Sequence, residues 1–113
     1  MTLADLLDEA GSTVGRVDRR AASGGIEFLV DGRPFAALAG DTVEFRLEAV
    51  VGRAALGTPD VTPSPRGAEW VAFRPPELDR FAADRATAWF LSAWRRAQGG
   101  IERPRSGDRG RSG

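Results

Sequence analysis

The chain of 113 residues contains no cysteine, no histidine and no tyrosine. It has no lysine either, so all 16 basic residues are arginine. Without cysteine, a disulfide framework and a thiolate zinc site are both excluded. The side chains that do most metal ligation, nucleophilic attack and neutral-pH proton transfer are missing together. An enzyme made from this chain would have to run on carboxylates, arginine, serine or threonine, or a borrowed cofactor. No such constellation is visible, and the sequence reads as non-catalytic, with no cofactor and no metal site. Long apolar runs are lacking as well. Nothing approaches the roughly 20 apolar residues of a membrane helix. The start, Met1-Thr2-Leu3-Ala4-Asp5, lacks the charged segment and apolar run of a signal peptide. The expectation is a soluble, cytoplasmic chain with no membrane partner.

There is no excess of charge of either sign. The 16 acidic residues balance the 16 arginines. The stretch after Ala97, QGGIERPRSGDRGRSG, carries four arginines against Glu102 and Asp108 and is +2, which leaves the body at −2. Neither part has the strong basic excess of a dedicated nucleic-acid binder. Arginine to the exclusion of lysine fits the codon bias of a GC-rich, bacterial genome. A chain of this length buries about 60–70% of its unfolded surface, enough for one core. The organisation expected is a single domain over 1–97 followed by a disordered Arg/Gly/Ser-rich tail over 98–113.

What is present is clearest between Ile26 and Leu47 (IEFLVDGRPFAALAGDTVEFRL), which reads as a three-stranded antiparallel meander. Asp31-Gly32 marks a two-residue hairpin turn, because both positions need positive φ. That turn pairs Val30 with Arg33 and sets Phe28 opposite Phe35 and Ile26 opposite Ala37. Pro34 has no N–H to donate, so the ladder to the next strand should stop short of it. At the second turn, Ala39-Gly40-Asp41, a two-residue loop would put Val43 and Phe45 on the wrong face. A three-residue loop, or an equivalent bulge, puts them with the other rings. We take the three-residue loop, since a slip would expose two large side chains at about 1.5–3 kcal/mol each.

Around the meander the signals are those of helices and one more strand. Thr2 and Asp5 have capping-box spacing, and Leu3, Leu6, Leu7 and Ala10 share a helical face, with Gly11 as a stop. Ser12–Asp18 is a weak strand at best, and Arg19–Gly25 reads as loop. Glu48–Leu56 is a short helix closed by Gly57. Thr58–Ala68, with its three prolines, is an extended connection. Glu69–Arg74 is a strand with Trp70 and Ala72 on one face and Val71 and Phe73 on the other. Pro75-Pro76 opens a long helix over Glu77–Ala97, whose stripe is Leu78, Ala82, Ala86, Trp89, Phe90, Ala93 and Ala97. Leu91 falls on its polar side, and Phe81 and Trp94 on its shoulders. The fold class is therefore α+β, with a mostly antiparallel sheet of four or five strands and helices on one face.

Candidate sites follow from these placements. Arg66-Gly67 beside Trp70 could hold a phosphate, a carboxylate or a stacked base. The plainer reading makes Gly67 a turn, Trp70 a core residue and Arg66 a solvated charge. Arg33, Arg46 and Arg95, with Arg96 and the tail's Arg103, Arg105, Arg109 and Arg111, are further phosphate contacts for a weak nucleic-acid partner. Glu27 and Glu44 should flank Ala36 across two strand spacings, about 10 Å. That separation and their solvation read as ordinary strand charges rather than a catalytic pair. Trp89, Phe90 and Trp94 have the helical spacing of core residues. Trp94, with Leu91 or Phe81, could leave an apolar patch for a protein partner or a second copy of the chain, which makes the protein a monomer or a homodimer.

The run FLVDGRPFA (28–36), then VEFRL (43–47), Pro63–Arg66, Gly67, Trp70-Val71 and the aromatics Trp89-Phe90 and Trp94 resemble the MmcQ/YjbR-like small α+β proteins. Those include relatives of the TfoX N-terminal domain. The likeness covers roughly residues 26–97. It implies an antiparallel sheet covered on one side by helices and, since some members are labelled DNA-binding, a nucleic-acid or regulatory role. It implies no catalytic residues.

Overall fold

A computed structural model describes residues 1–107, with side chains through residue 99. The elements are α1 (Leu3–Val14), β1 (Asp18–Ala22), β2 (Gly25–Val30), β3 (Arg33–Ala39), β4 (Thr42–Arg46), α2 (Ala49–Leu56), β5 (Val61–Pro63), β6 (Trp70–Phe73) and α3 (Arg80–Gly107). The fold is α+β, and its sheet is antiparallel with the strand order β1-β2-β3-β4-β6-β5. Six strands are two or one more than expected, because all of β1 but Asp18 falls in the expected loop over 19–25 and the proline-rich connection contains β5. Both additions are edge strands with weak local signals. β1 (DRRAA) is charged and β5 (VTP) is short and ends in proline, which are features that discourage pairing with another chain.

The meander is where expectation and structure differ most instructively. Asp31 and Gly32 take φ of 50° and 80°, as the first hairpin requires, and Val30 faces Arg33. The register then shifts between Leu29 and Phe28, so Phe28 faces Ala36, not Phe35, and Ile26 faces Leu38, not Ala37. Phe35 is the extra residue of a β-bulge. The second turn is a two-residue loop, Gly40-Asp41, flanked by the Ala39–Thr42 pair; it is not the three-residue loop expected. The extra residue that brings the rings to one face lies in β3 instead. Phe28, Ala36, Phe45 and Val71 thus form one inward row, and Ile26, Leu38, Val43 and Phe73 the next. Ala37, expected among the inward residues, lies on the opposite face between Glu27 and Glu44. The β3–β4 ladder starts at Ala36, short of Pro34 as its missing N–H demands.

All three helices cover the inward face. Phe90 of α3 meets Phe28 and Phe35 edge-on at ring-centroid distances of 5.4 and 5.1 Å, and Trp89 meets Phe73 at 5.2 Å. Fully buried Ala82, Ala86 and Ala93 let the helix approach the strands closely. α1 carries the expected capping box: Thr2 Oγ1 accepts from the Asp5 N–H, and the Thr2 N–H donates to the Asp5 carboxylate, each at 3.1 Å. It does not stop at Gly11, which packs near Val17 and Phe90, but at Gly15, where φ is 74°. α3 begins at Arg80 rather than Glu77, because Asp79 caps it through a 2.8 Å bond from the Ala82 N–H. Its backbone is helical to Gly107, beyond the expected end at Ala97. The remainder of the expected tail, 108–113, lies outside the described residues.

Two glycines give opposite expected outcomes in chemical denaturation. A Cβ on Gly25 would stand 1.8 Å from the Leu38 carbonyl oxygen across the β2–β3 ladder. Gly25→Ala should therefore cost about 1–3 kcal/mol of stability. On α2, a Cβ on Gly52 would meet Leu47 and Val71 at an ordinary 3.9 Å. Gly52→Ala should add about 0.5–1 kcal/mol through helix propensity.

Candidate functional site

Among the described residues the outward face of the sheet carries no helix, and one row across it runs Arg20, Glu27, Ala37, Glu44, Ala72, Thr62. Two carboxylates sit either side of Ala37, and the bulge in β3 is why the residue between them is not Ala36. The loop from Ser64 to Glu69 folds back over this row. Gly67 accepts from the Trp70 N–H and Trp70 accepts from the Ser64 N–H, each at 3.1 Å, so the loop is held at both ends. Ser64 Oγ donates to Glu44 Oε2 at 2.5 Å and accepts from the Arg66 N–H at 3.1 Å.

Arg66 is the centre of this loop. Its Nε donates to Glu44 at 2.8 Å, one terminal nitrogen donates to Glu27 at 3.0 Å, and its guanidinium lies 5.1 Å from the Trp70 ring centroid. Arg20 reaches the other Glu27 oxygen at 2.7 Å. Hydrogen bonds from Arg20, then Arg66, hold the Glu27 carboxyl below its ordinary 4.5. Partial burial pulls the Arg66 pKa down, but its bonds to Glu44 and Glu27 more than offset this and raise it. The expected Arg66–Trp70 pair therefore exists, on the outward face and not in the core. Its cation is bound to two carboxylates, which makes Arg66 a clamp across β2 and β4 more than an open anion receptor. Glu27 and Glu44, read as solvated strand charges, are instead only 13% and 18% exposed and paired to Arg66.

A second arginine group lies at the end of the sheet. Arg33 at the start of β3, Arg46 at the end of β4 and Arg96 on α3 line one cavity of 540 Å³, together with Glu48 and Ala49 at the start of α2. Glu69 ties two of these together: Arg46 Nε is 2.7 Å and an Arg96 nitrogen 3.2 Å from its carboxylate. Those bonds, Arg96 first and then Arg46, hold the Glu69 carboxyl below its ordinary 4.5. Arg33 makes no ion pair among the described residues. An adjoining hollow is bounded by Pro34, Arg46, Arg66, Glu69 and Trp70, so Arg46 stands between the cavity and the Arg66–Trp70 pair. Such an arrangement can receive an oxyanion from more than one guanidinium, with an indole beside it.

Four of the expected anion contacts, Arg33, Arg46, Arg66 and Trp70, thus lie around two neighbouring hollows. Arg95 is exposed and lines neither hollow; its neighbour Arg96 does. Glu69, which organises Arg46 and Arg96, carried no sequence signal beyond its position as the first residue of the expected strand. Of the expected protein contacts, Leu91 and Trp94 are partly buried against the core, and the Trp94 Nε1 is buried with no acceptor among the described residues. α1 packs alongside α3 and adds to the surface that covers that helix. Phe81 alone stands out, at 73% exposure. Among the described residues no group of three or more His, Cys, Asp or Glu is placed to hold a metal ion. Nor is any helix among them long and apolar enough to cross a membrane.

Glu27 and Glu69 fix the sign of an acid effect. Both have folded-state pKa values below the ordinary 4.5, so their contribution to stability is complete above that pH and is lost as pH falls through the lowered values. Urea midpoints should fall between pH 5 and pH 3, and the drop should be smaller in Glu27→Gln. At neutral pH Arg66→Ala should cost about 1–2 kcal/mol, because Glu27 keeps Arg20 but Glu44 loses its cation and the two carboxylates face each other across β3 with none between them.

A scan against protein-family models finds no match for this chain, and neither the curated proteins nor the solved structures provide one.

Proposed function

We propose that the chain is a small, non-catalytic, cytoplasmic binding or regulatory domain whose ligand is anionic, a weakly held nucleic acid being the form that suits it best. The observation that carries this reading is the convergence of Arg33, Arg46 and Arg96 on one 540 Å³ cavity, from residues far apart in the chain. Phosphate oxygens are what guanidinium groups in such a cluster recognise, as point charges and as forked donors. Trp70 and Arg66 next to it supply a planar surface for a base. Glu48 and Glu69 temper the positive field, in keeping with weak rather than tight binding. The resemblance to the MmcQ/YjbR-like proteins is in keeping with this role and is itself part of the proposal.

Titration of tryptophan fluorescence with a single-stranded oligonucleotide at two salt concentrations tests the reading. Two to three phosphate contacts should give a log–log salt slope of about −1.4 to −2. Arg46→Ala should weaken binding about three- to tenfold. Glu69→Gln, which frees Arg46 and Arg96, should strengthen it by a similar factor. Binding that ignores salt, or none below millimolar, would remove the proposal.

The alternative, a contact with a protein partner or a second copy through Trp94, Leu91 and Phe81, is supported by the exposed Phe81 ring. Light scattering across concentration should then show a dimer that Phe81→Asp abolishes. A monomer in both would end that reading.

A further inference from the structure

The arginine cavity adjoins a second, more apolar groove of 460 Å³ between α2 and the loop that precedes β6. Glu48, Ala49 and Arg96 line both and form the border between them. The groove's own sides include Leu47, Leu56, Pro63 and Trp70, together with the charged Arg53 and Glu69. Trp70 also borders the hollow that holds Arg66, and Arg66 lies against its ring. The molecule therefore presents an arginine-lined compartment and a more apolar, aromatic-sided compartment that share Arg96 and Glu48. An occupant matched to both has a flat, weakly polar body joined by a short linker to a phosphate. A plain polyanion would use the first compartment and leave the second empty. A plain aliphatic chain would fill the second and offer the arginines of the first no anion.

Resting on the proposed anion-binding role, we propose that this composite site takes a single nucleotide unit, with its unpaired base in the α2–Trp70 groove and its phosphate among Arg33, Arg46 and Arg96. The unit can come from a free nucleotide or from a single strand, since both offer the same base and phosphate. Duplex DNA does not qualify, because its bases are stacked and paired. The groove volume lies within the range typical of small-molecule pockets.

The test compares three probes on the intact chain at one salt concentration: oligo(dT) of about eight nucleotides, an abasic strand of the same length, and thymidine 5′-monophosphate. If the base occupies the groove, oligo(dT) should bind roughly tenfold more tightly than the abasic strand. Leu56→Ser, at a side chain already 41% exposed, should weaken oligo(dT) several-fold and leave the abasic strand unchanged. Equal affinity of oligo(dT) and the abasic strand, with both weakened by Arg46→Ala, would overturn the nucleotide site while leaving the anion role standing. Failure of all three probes to bind would overturn both. Binding of the monophosphate as tight as that of oligo(dT) would support the site and assign it to free nucleotides, against the nucleic-acid form of the proposed function.

Discussion

The rings of β2, β3 and β4 must all reach the underside of α3, and the two hairpin turns between these strands are each too short for simple alternation to achieve it. With two-residue loops at both ends of β3 and no irregularity, Phe28 and Phe35 would share a face with Glu44 and Arg46, and Phe45 would point to water. Exposing such rings costs about 1.5–3 kcal/mol each, against about 0.5–1.5 kcal/mol for a disturbed ladder bond. The bulge therefore wins. It inserts Phe35 into β3, brings Phe28, Ala36 and Phe45 into one row, and places Phe35 itself 5.1 Å from Phe90. Pro34 makes this position tolerant of irregularity, because no ladder bond to β4 could begin there.

The same shift decides what the other face looks like. It moves Ala37 outward between Glu27 and Glu44 and leaves two carboxylates on a helix-free surface. The returning loop resolves the repulsion by laying Arg66 between them and anchoring Ser64 to Glu44. One face is thus held by edge-on aromatic packing and the other by a shared cation. At the edges, β1 ends the inward row with Arg19, which reaches Asp8 of α1 at 3.3 Å.

The arginine cavity is a product of how the elements meet, not of any local motif. Arg33 follows the first turn, Arg46 ends the third meander strand, and Arg96 arrives on a helix that crosses the sheet toward the same end. Half of this was legible: arginines beside turns and strand ends, and Arg66 next to Trp70, could be marked from the sequence. The choice of Arg96 over Arg95 could not be, because it depends on the rotation of α3, which Trp89 and Phe90 set by seating on two different pairs of strands. Glu69 was illegible for the same reason. Its partners are 23 and 27 residues away.

By itself the chain's sequence determined the features that a few neighbouring residues can specify. Asp31-Gly32 specified a turn of positive φ, Thr2 with Asp5 a helix start, and the spacing from Ala82 to Ala97 a buried helical stripe. The α+β class and the one-sided placement of helices followed from those periodicities. Only the tertiary structure decided where the extra residue of the meander lies, that DRRAA and VTP are strands, and which arginines share a cavity. These choices compare alternatives of similar local energy. The difference between them comes from packing and charge pairing across segments that are remote in the chain.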